Sequence, residues 1–296
     1  MKRIGFWFAK AFAYLIAITP FSLLYLRSDF YYFLVYHLVG YRKKVVRDNL
    51  AKSFPEKSKE EIKQIEKQFY HNLCDVFVET CKLLRVKSDE LSQHVTFTNP
   101  ELLQDLYERR KNVFTALPHS GNWEWYGKLM HLASAHKATA IYKKLSNPNF
   151  DAFMLKLRKN YDLDQEDMLE SSVALRALVR RKDLMNSVLI LADQSPRGLE
   201  SDYWAEFLHR DTCWFFGLER MAKLLDYAVV FVEMVRTGRG RYQVTFKMIT
   251  DDPKSTPEGF IMEQYVRHIE RFIQNNPDNW LWSHRRWKRS RQPLHQ

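Results

Sequence analysis

The sequence predicts an α/β fold in which a mostly parallel central sheet is flanked by helices and preceded by an N-terminal membrane-anchoring helix. Two observations predict it. Beyond residue 112, apolar runs of strand length alternate with helical segments, which is the pattern of a parallel sheet. Before residue 41, the chain is apolar and rich in aromatic residues. We therefore divide it into an anchor and interfacial segment, residues 1–40, and a single α/β domain, residues 41–296.

The N-terminal segment is long enough to cross a membrane. Residues 4–26 contain one charged side chain, Lys10, and at about 1.5 Å per residue a helix of this length spans a hydrocarbon core of about 30 Å. No small-residue cleavage site follows, so we expect the segment to be retained. Residues 30–40 form a shorter, aromatic-rich run that suits a membrane surface. The alternative is a pair of buried core helices, and basic residues at both ends leave the orientation open.

A basic segment and one long helix connect the anchor to the sheet. Residues 41–61 are strongly basic, and we expect them to lie at an anionic surface. Residues 58–85 have apolar side chains at helical spacing, and Ser58 with Glu61 forms a capping-box pattern. Glu79 falls near the apolar stripe of this helix, where a solvated or paired carboxylate is commoner than a catalytic one.

The alternation that follows predicts individual elements of the α/β domain. Strands are expected at residues 112–118, 139–142, 187–193 and 227–235. Helices are expected at residues 123–134, 149–160, 172–182 and 258–275. The glycine-containing turn at residues 236–240 predicts that the chain then returns as an antiparallel strand.

The composition favours anionic partners. Lys and Arg number 46 against 35 Asp and Glu, a net charge of +11, and such a field attracts nucleic acid, anionic lipid or an acidic protein alike. Aromatic residues reach 15%, which suits a membrane interface. Cys74, Cys81 and Cys213 form no CxxC pair, and their odd number argues against a disulfide framework. We therefore expect the α/β domain to lie in the cytoplasm.

A histidine and a glutamate five residues apart form the candidate catalytic motif, HSGNWE at residues 119–124. On a regular helix two such side chains lie about 500° apart and do not share a face. They meet only if a helix begins between them. Pro118 ends the strand, Gly121 tolerates an unusual turn and Asn122 is a favoured N-cap. Glu124 then lies in the first turn, where the helix dipole favours its charge.

This geometry suits acid–base chemistry at the carboxyl edge of the sheet. Glu124 would hydrogen-bond one nitrogen of His119 and fix its tautomer, while the other nitrogen removes a proton from a hydroxyl group. The chain has no GxSxG elbow, no HExxH motif and no second cluster of His and Cys. We therefore expect neither a covalent intermediate nor a metal or other cofactor. The alternative is a capped helix beside a surface histidine.

Several blocks, in order along nearly the whole chain, resemble the bacterial lipid A late acyltransferases, within the wider lysophospholipid acyltransferase group. HSGNWE resembles the HxxxxE block of that family. The other blocks are RKKVVRDNLAKSFPE (42–56), IYKKLSNPNFD (141–151), LADQSPRG (191–198), the segment 207–231 and NWLWSHRRWK (279–288). The ordered match of so many blocks is much more specific than any one of them.

The resemblance implies a glycerolipid-acyltransferase-like fold and an enzyme that moves a fatty acyl chain from an acyl carrier protein thioester to a hydroxyl group of a lipid A precursor. The acyltransferase domain would lie on the cytoplasmic face of the bacterial inner membrane. By the resemblance, His119 is the general base and Glu124 is its partner. The residues expected to support the site or bind substrate are Asn122, Lys143, Arg158 and Asp193.

Two of these positions allow other interpretations. Lys143 stands where an arginine is commoner in the family, which keeps the charge but loses a bidentate hydrogen-bonding group. Lys144 replaces the usual proline beside it. Asp193 follows a predicted strand, where a polar cap on a buried strand is the alternative to a role in the site. The basic tail at residues 284–291 either holds anionic headgroups or stays solvated.

Two alternative functions stay open on the sequence. The acceptor could instead be an amino-acid lipid, a lysophospholipid or another glycolipid, because the central motif is shared across these enzymes. A basic nucleic-acid-binding protein belongs to a different class, and it would need a recognition helix, an RNP-like motif or an OB pattern. None of these motifs is found in the sequence, so we expect no nucleic-acid partner.

Overall fold

The computed structural model describes residues 2–159, 167–196 and 202–291, and nine strands lie within these ranges. They are β1 (Val95–Phe97), β2 (Val113–Ala116), β3 (Lys137–Tyr142), β4 (Met168–Glu170), β5 (Asn186–Ile190), β6 (Asp202–Phe207), β7 (Arg210–Phe215), β8 (Ala228–Gly238) and β9 (Arg241–Thr250). Seven of them form one sheet in the order β1-β9-β8-β2-β5-β3-β4, and β6 with β7 forms a separate antiparallel hairpin.

The large sheet is parallel except where β8 pairs with β9. Strand β2 lies at its middle, because Val113 is paired with Ser187 of β5 on one side and with Ala228 of β8 on the other. Successive residues of β2 face opposite cores, with Phe114 in one and Val113 in the other. The predicted mostly parallel sheet is confirmed, and so is the antiparallel return of the chain after β8.

Eleven α-helices flank the sheet in the same described ranges. They are α1 (Lys2–Ala17), α2 (Phe21–Tyr32), α3 (Lys43–Ser53), α4 (Lys59–Lys82), α5 (Ser88–Ser92), α6 (Glu101–Glu108), α7 (Trp123–Leu129), α8 (Pro148–Lys159), α9 (Ala174–Arg180), α10 (Gly217–Leu225) and α11 (Phe260–Asn275). A π-helix, Phe33–Val39, continues α2, and short 3-10 helices occupy Met130–Leu132 and Pro253–Ser255. Helix α4 packs against α1, α2 and α3, and α11 packs against β8 and β9.

The long helix predicted at residues 58–85 is α4, and its capping box is formed. The Ser58 hydroxyl accepts a hydrogen bond from the Glu61 backbone N–H at 3.2 Å, and the Glu61 carboxylate accepts one from the Ser58 N–H at 2.8 Å. Other elements were not predicted. Strands β1 and β4 have three residues each, too few to show alternation, and helix α3 lies within the basic segment. Residue 160, the predicted end of α8, lies outside the described residues.

The predicted anchoring helix is a pair of helices. Helix α1 ends at Ala17 and α2 begins after Pro20, whose ring removes the backbone N–H that a continuous helix needs. Lys82 of α4 donates to the carbonyl oxygens of Ala17 and Thr19 at 3.1 Å and 2.7 Å. The prediction of one continuous helix over residues 4–26 is therefore wrong, and a side chain of the domain holds the break in place.

One face of this helix pair is buried and the other is exposed. Ile16 and Leu24 are fully buried against the domain, whereas Phe8 and Leu26 are 73% and 68% exposed. Among the described helices, none combines the length and the apolar composition needed to cross a membrane. Anchoring by this segment stays a prediction.

Candidate active site

The HSGNWE motif forms a strand–turn–helix at the carboxyl end of β2. Gly121 has a positive φ of 55°, and an added Cβ would lie 2.8 Å from the carbonyl oxygen of Met234, so both the backbone conformation and the space favour glycine. The side chain of Asn122 accepts a hydrogen bond from the Trp125 N–H at 3.1 Å, and α7 begins at Trp123. The predicted turn and N-cap are confirmed. They place His119 at the sheet edge, before the helix.

The imidazole of His119 is bound to Asp193. The Nδ1 atom lies 2.6 Å from Oδ1 of Asp193, and the backbone N–H of His119 donates to Oδ2 at 2.9 Å. Trp280 also donates its indole N–H to Oδ2, at 2.9 Å. Asp193 follows β5, which pairs with β2, so parallel neighbours bring the two residues to one edge. The carboxylate is therefore fixed by three donors, two of them from His119.

The surroundings of Asp193 keep its carboxylate ionised. The side chain is 2% exposed, and this burial alone would raise the pKa. Electrostatic attraction to the His119 imidazole, its two hydrogen bonds and the indole N–H of Trp280 act in the opposite direction and lower the pKa to about 2. An ionised carboxylate accepts hydrogen bonds only, so Nδ1 of His119 carries the proton.

The second nitrogen of His119 faces away from Asp193. Its Nε2 atom lies 3.1 Å from the side-chain nitrogen of Gln194, which donates to the Nε2 lone pair. The His119 side chain is 18% exposed, and its ring lies edge-on to Trp123 with the ring centroids 5.2 Å apart. A histidine with Nδ1 held by a carboxylate and Nε2 near an open surface has the geometry of a general base.

Glu124 is bound to Arg158 of α8. The guanidinium donates from Nε to Oε2 at 3.0 Å and from Nη2 to Oε1 at 2.6 Å, a bidentate ion pair in which the carboxylate is almost fully buried. The sequence interpretation gave Glu124 the position next to the imidazole. In the part of the chain that the structure describes, that position belongs to Asp193, and Glu124 holds Arg158 instead.

The remaining candidates lie at the same sheet edge. Lys143 directly follows β3, the neighbour of β5, and its side chain is exposed.

The described residues contain no group of three or more His, Cys, Asp or Glu placed to hold a metal ion. Residues 197–198, the end of the block that contains Asp193, lie outside the described residues.

A narrow cleft opens beside His119. Its walls come from α4, from the HSGNWE turn, from β8 and β9, and from the Trp-rich segment near the C terminus. The lining residues are Phe69, Asn72, Leu73, Val76, His119, Gly121, Trp123, Arg236, Tyr242, Asp278, Asn279, Trp280 and Leu281. Apolar and aromatic side chains dominate this wall, which suits a hydrocarbon chain beside the imidazole.

A buried carboxylate lies behind the HSGNWE turn. Glu79 of α4 is fully buried, and it accepts hydrogen bonds from Asn122 at 2.8 Å, from the Tyr242 hydroxyl at 2.7 Å and from the Tyr25 hydroxyl at 3.0 Å. Burial raises the pKa of Glu79, although the bonds from Tyr242 and Asn122 act in the opposite direction. Glu79 thus connects α2, the HSGNWE turn and β9. Of the two commoner environments expected for this carboxylate, solvated or paired, the structure shows the paired one.

Three partners in the site were missed on the sequence: Gln194, Trp280 and Tyr242. Gln194 directly follows the predicted Asp193, so the resemblance of this block was the available signal. Trp280 lies in the Trp-rich block near the C terminus, which was matched as a block without a role for any one tryptophan. Tyr242 lies on the antiparallel strand β9, and no local pattern connects it with a glutamate on α4.

The sequence model of the family described as "Bacterial lipid A biosynthesis acyltransferase" matches residues 1–289 of this chain. Because the match covers nearly the whole sequence, the chain belongs to this family, whose members are O-acyltransferases. The resemblance found in the ordered blocks is confirmed. No curated protein gives a significant match to the chain.

Proposed function

We propose that this acyltransferase moves a fatty acyl chain from an acyl carrier protein thioester to a hydroxyl group of a lipid A precursor, with His119 as the general base. The observation that supports the proposal most is the imidazole of His119, which is held by the Asp193 carboxylate at 2.6 Å and borders an apolar cleft. A base of this kind activates a hydroxyl without a covalent enzyme intermediate.

The proposed reaction has two steps. Nε2 of His119 takes the proton of the acceptor hydroxyl as its oxygen attacks the thioester carbonyl, and Asp193 stabilises the imidazolium that forms. The tetrahedral intermediate then collapses, the carbon–sulfur bond breaks, and the imidazolium returns the proton to the leaving thiolate. An ester and a free thiol result, and the base is regenerated without a cofactor.

The ion pair of Glu124 and Arg158 is proposed to support this chemistry by position and charge. Because its bidentate bonds fix Arg158, the guanidinium stays beside the turn that holds His119. Lys143 adds positive charge at the same sheet edge. Both proposed substrates contain phosphate groups, which such charges attract.

The exposed face of the N-terminal helices is proposed to lie in the cytoplasmic leaflet of the inner membrane. Phe8 and Leu26 project from this face, while the opposite face packs on the domain. Helix α1 also packs against α8, the helix that contains Arg158, since the ring of Phe6 lies edge-on to Phe150 with centroids 5.3 Å apart. A lipid acceptor would then meet the site without leaving the bilayer.

We expect Phe8→Asp combined with Leu26→Asp to move the protein from the membrane pellet to the supernatant. Charges on a face buried in lipid are costly, whereas the same changes on a solvated face are not. Fractionation of cell lysates measures the shift. Leu224→Asp is the matched control, because Leu224 is 64% exposed on α10 and lies outside the N-terminal face. A double variant that stays in the pellet as wild type does would contradict the membrane contact of this face.

The donor and acceptor are tested with the purified protein. Acyl carrier protein thioesters are expected to be used at higher kcat/KM than acyl-CoA, and the lipid A precursor should gain the mass of one acyl chain. Added salt should raise KM for the carrier more than it changes kcat, because screening weakens the encounter of a basic enzyme with an acidic protein. An amino-acid lipid and a lysophospholipid, offered in parallel, test the alternative acceptors. Equal use of both donors without a salt effect would count against the carrier protein.

A further inference from the structure

A second pocket, which we call the basic pocket, lies between α3 and the first turns of α4. It is open to solvent. Its lining combines four cationic side chains, four apolar or small ones and a single carboxylate. The lining residues are Arg47, Ala51, Phe54, Pro55, Lys57, Lys59, Ile62, Lys63 and Glu66. None of them lines the cleft beside His119.

Three lysines line the basic pocket, and the Glu61 carboxylate lies close enough to interact with the charge of one of them, Lys57. The single carboxylate that lines the pocket, Glu66, is 1% exposed and accepts two hydrogen bonds from Arg47, at 2.6 Å and 3.1 Å. In the described part of the chain, Lys57, Lys59 and Lys63 form no ion pair. The N-terminus of α4 does not add to this charge, because its first turn contains Glu60 and Glu61 and the Glu61 carboxylate accepts from the Ser58 N–H. The three lysines therefore attract a negatively charged ligand or partner to this pocket.

The floor of the basic pocket is apolar, which distinguishes it from a simple anion site. Phe54 and Ile62 are mostly buried in the core beneath it, and Pro55 is exposed at its rim. The ammonium group of Lys57 lies 5.7 Å from the centre of the Phe54 ring. An apolar floor surrounded by lysines fits an acidic, amphipathic protein surface, which needs both kinds of contact.

Helix α4 connects the basic pocket to the active-site cleft. Lys63 and Glu66 of this helix line the pocket, and Phe69 and Leu73 of the same helix line the cleft. From Lys63 to Leu73 the helix rises by about 15 Å. A partner bound in the pocket would therefore lie about 15 Å along α4 from the cleft that contains His119. A flexible arm that carries the substrate can cover this distance.

We propose that the basic pocket is the docking site of the acyl carrier protein. The inference rests on the proposed function, which makes this acidic protein the donor. The acidic surface of the carrier protein would lie against Lys57, Lys59 and Lys63. The arm that bears its thioester would extend along α4 into the cleft. In the proposed reaction, the donor protein approaches from water while the acceptor comes from the bilayer.

A lipid headgroup fits the basic pocket less well than a soluble protein does. The helix α1, which contributes much of the exposed apolar face, packs at the other end of α4, where Phe12 stacks on Phe77 at 6.4 Å and Lys82 binds the end of α1. With 24 residues, α4 is about 36 Å long. The basic pocket lies at the first turns of this helix, far from α1.

The test is the double variant Lys57→Glu with Lys63→Glu in the full-length protein. KM for an acyl carrier protein thioester is expected to rise about tenfold or more, while kcat stays within about twofold of wild type, because only docking is weakened. KM for the same acyl chain on free pantetheine should not change. The matched control is Lys182→Glu with Lys254→Glu, two exposed lysines outside the pocket, which changes the net charge equally.

Each outcome has a distinct meaning. A selective rise in KM for the carrier in the pocket variant supports the docking site. An equal rise in both double variants would assign the effect to the overall charge and overturn the proposal. Unchanged KM for the carrier, with weaker binding to anionic phosphatidylglycerol vesicles, would make the pocket a lipid site instead. If the wild-type protein does not use the carrier thioester, the proposed donor itself is refuted. The wild-type assay shows this before any variant is compared.

Discussion

Replacing His119 with alanine is expected to lower kcat for acyl transfer by about 10²–10⁴-fold, because the variant lacks the group that takes the acceptor proton. The side chain lines the cleft and is partly exposed, so its removal leaves no cavity in the core. The buried Asp193 carboxylate does lose its Nδ1 donor, so the melting temperature should fall, and the rate is measured well below it. Single-turnover transfer from acyl carrier protein, measured at saturating acceptor, gives the rate. A variant that keeps the wild-type rate would remove His119 from the chemistry.

Asp193→Asn is the sharper test of the same site. In wild type, Oδ2 is held by the backbone N–H of His119 and by Trp280, so an asparagine oxygen would stay there and turn its amide nitrogen toward Nδ1. An amide N–H at this position favours the tautomer with the proton on Nε2, which cannot accept the hydroxyl proton. We expect kcat to fall by about 10²–10⁴-fold while substrate binding is retained.

The pH dependence of stability follows from the lowered pKa of Asp193. The folded-state pKa is about 2, below the ordinary value of 3.8. The ionised carboxylate therefore stabilises the fold fully above the ordinary pKa, and this contribution is lost as the pH falls toward about 2. The difference in unfolding free energy between wild type and Asp193→Asn should be largest near neutral pH and shrink under acid conditions. Activity lost between neutral pH and about pH 5 would not come from protonation of Asp193.

Glu124→Gln distinguishes the two candidate carboxylates. If Glu124 acts through Arg158, the amide keeps one acceptor for the guanidinium and the loss of kcat is smaller than in Asp193→Asn. If Glu124 is instead the direct partner of His119, as the motif alone suggested, its loss should equal or exceed that of Asp193→Asn. The ratio of the two rates decides between these assignments.

The sequence predicts the local part of the site well. The strand, the turn at Gly121, the N-cap Asn122 and the helix start at Trp123 depend on neighbouring residues, so the pattern of the motif contains the information. The capping box of α4 was predicted for the same reason. Family resemblance supplied the roles of His119 and the relevance of the block around Asp193.

The contacts between distant parts of the chain could not be predicted from the spacing of residues in the sequence. Asp193 and His119 are 74 residues apart, and they meet because β2 and β5 are neighbours in the sheet. The sequence pattern does not indicate that these two strands are neighbours. Within the motif, the five-residue separation made Glu124 the nearest carboxylate in sequence, but the first turn of α7 directs it toward Arg158 of α8. Tertiary contacts therefore decide which acid serves the histidine.

Removing the buried carboxylate of Glu79 is expected to damage both stability and catalysis. In Glu79→Ala, the Tyr25 hydroxyl, the Tyr242 hydroxyl and the side-chain nitrogen of Asn122 lose their common acceptor; the bonds of Tyr242 and Asn122 are buried and that of Tyr25 is partly buried. Buried donors without acceptors cost about 1–3 kcal/mol each, so the unfolding free energy should fall by about 3 kcal/mol or more. Chemical denaturation of the purified variant in detergent measures this loss.

The catalytic effect of Glu79→Ala should exceed what lower stability explains. Asn122 is held by Glu79 through its nitrogen while its oxygen caps α7, so freeing the nitrogen lets the turn that contains His119 shift. A small misplacement of a base lowers kcat by about tenfold or more, with little change in KM for the donor. Glu219→Ala is the matched control, because that buried carboxylate binds the backbone N–H groups of Gly259 and Met262 at the start of α11. Both variants are expected to lose stability. When each is assayed well below its melting temperature, only Glu79→Ala should have a lower kcat. Equal kcat in the two variants would mean that Glu79 supports the fold only.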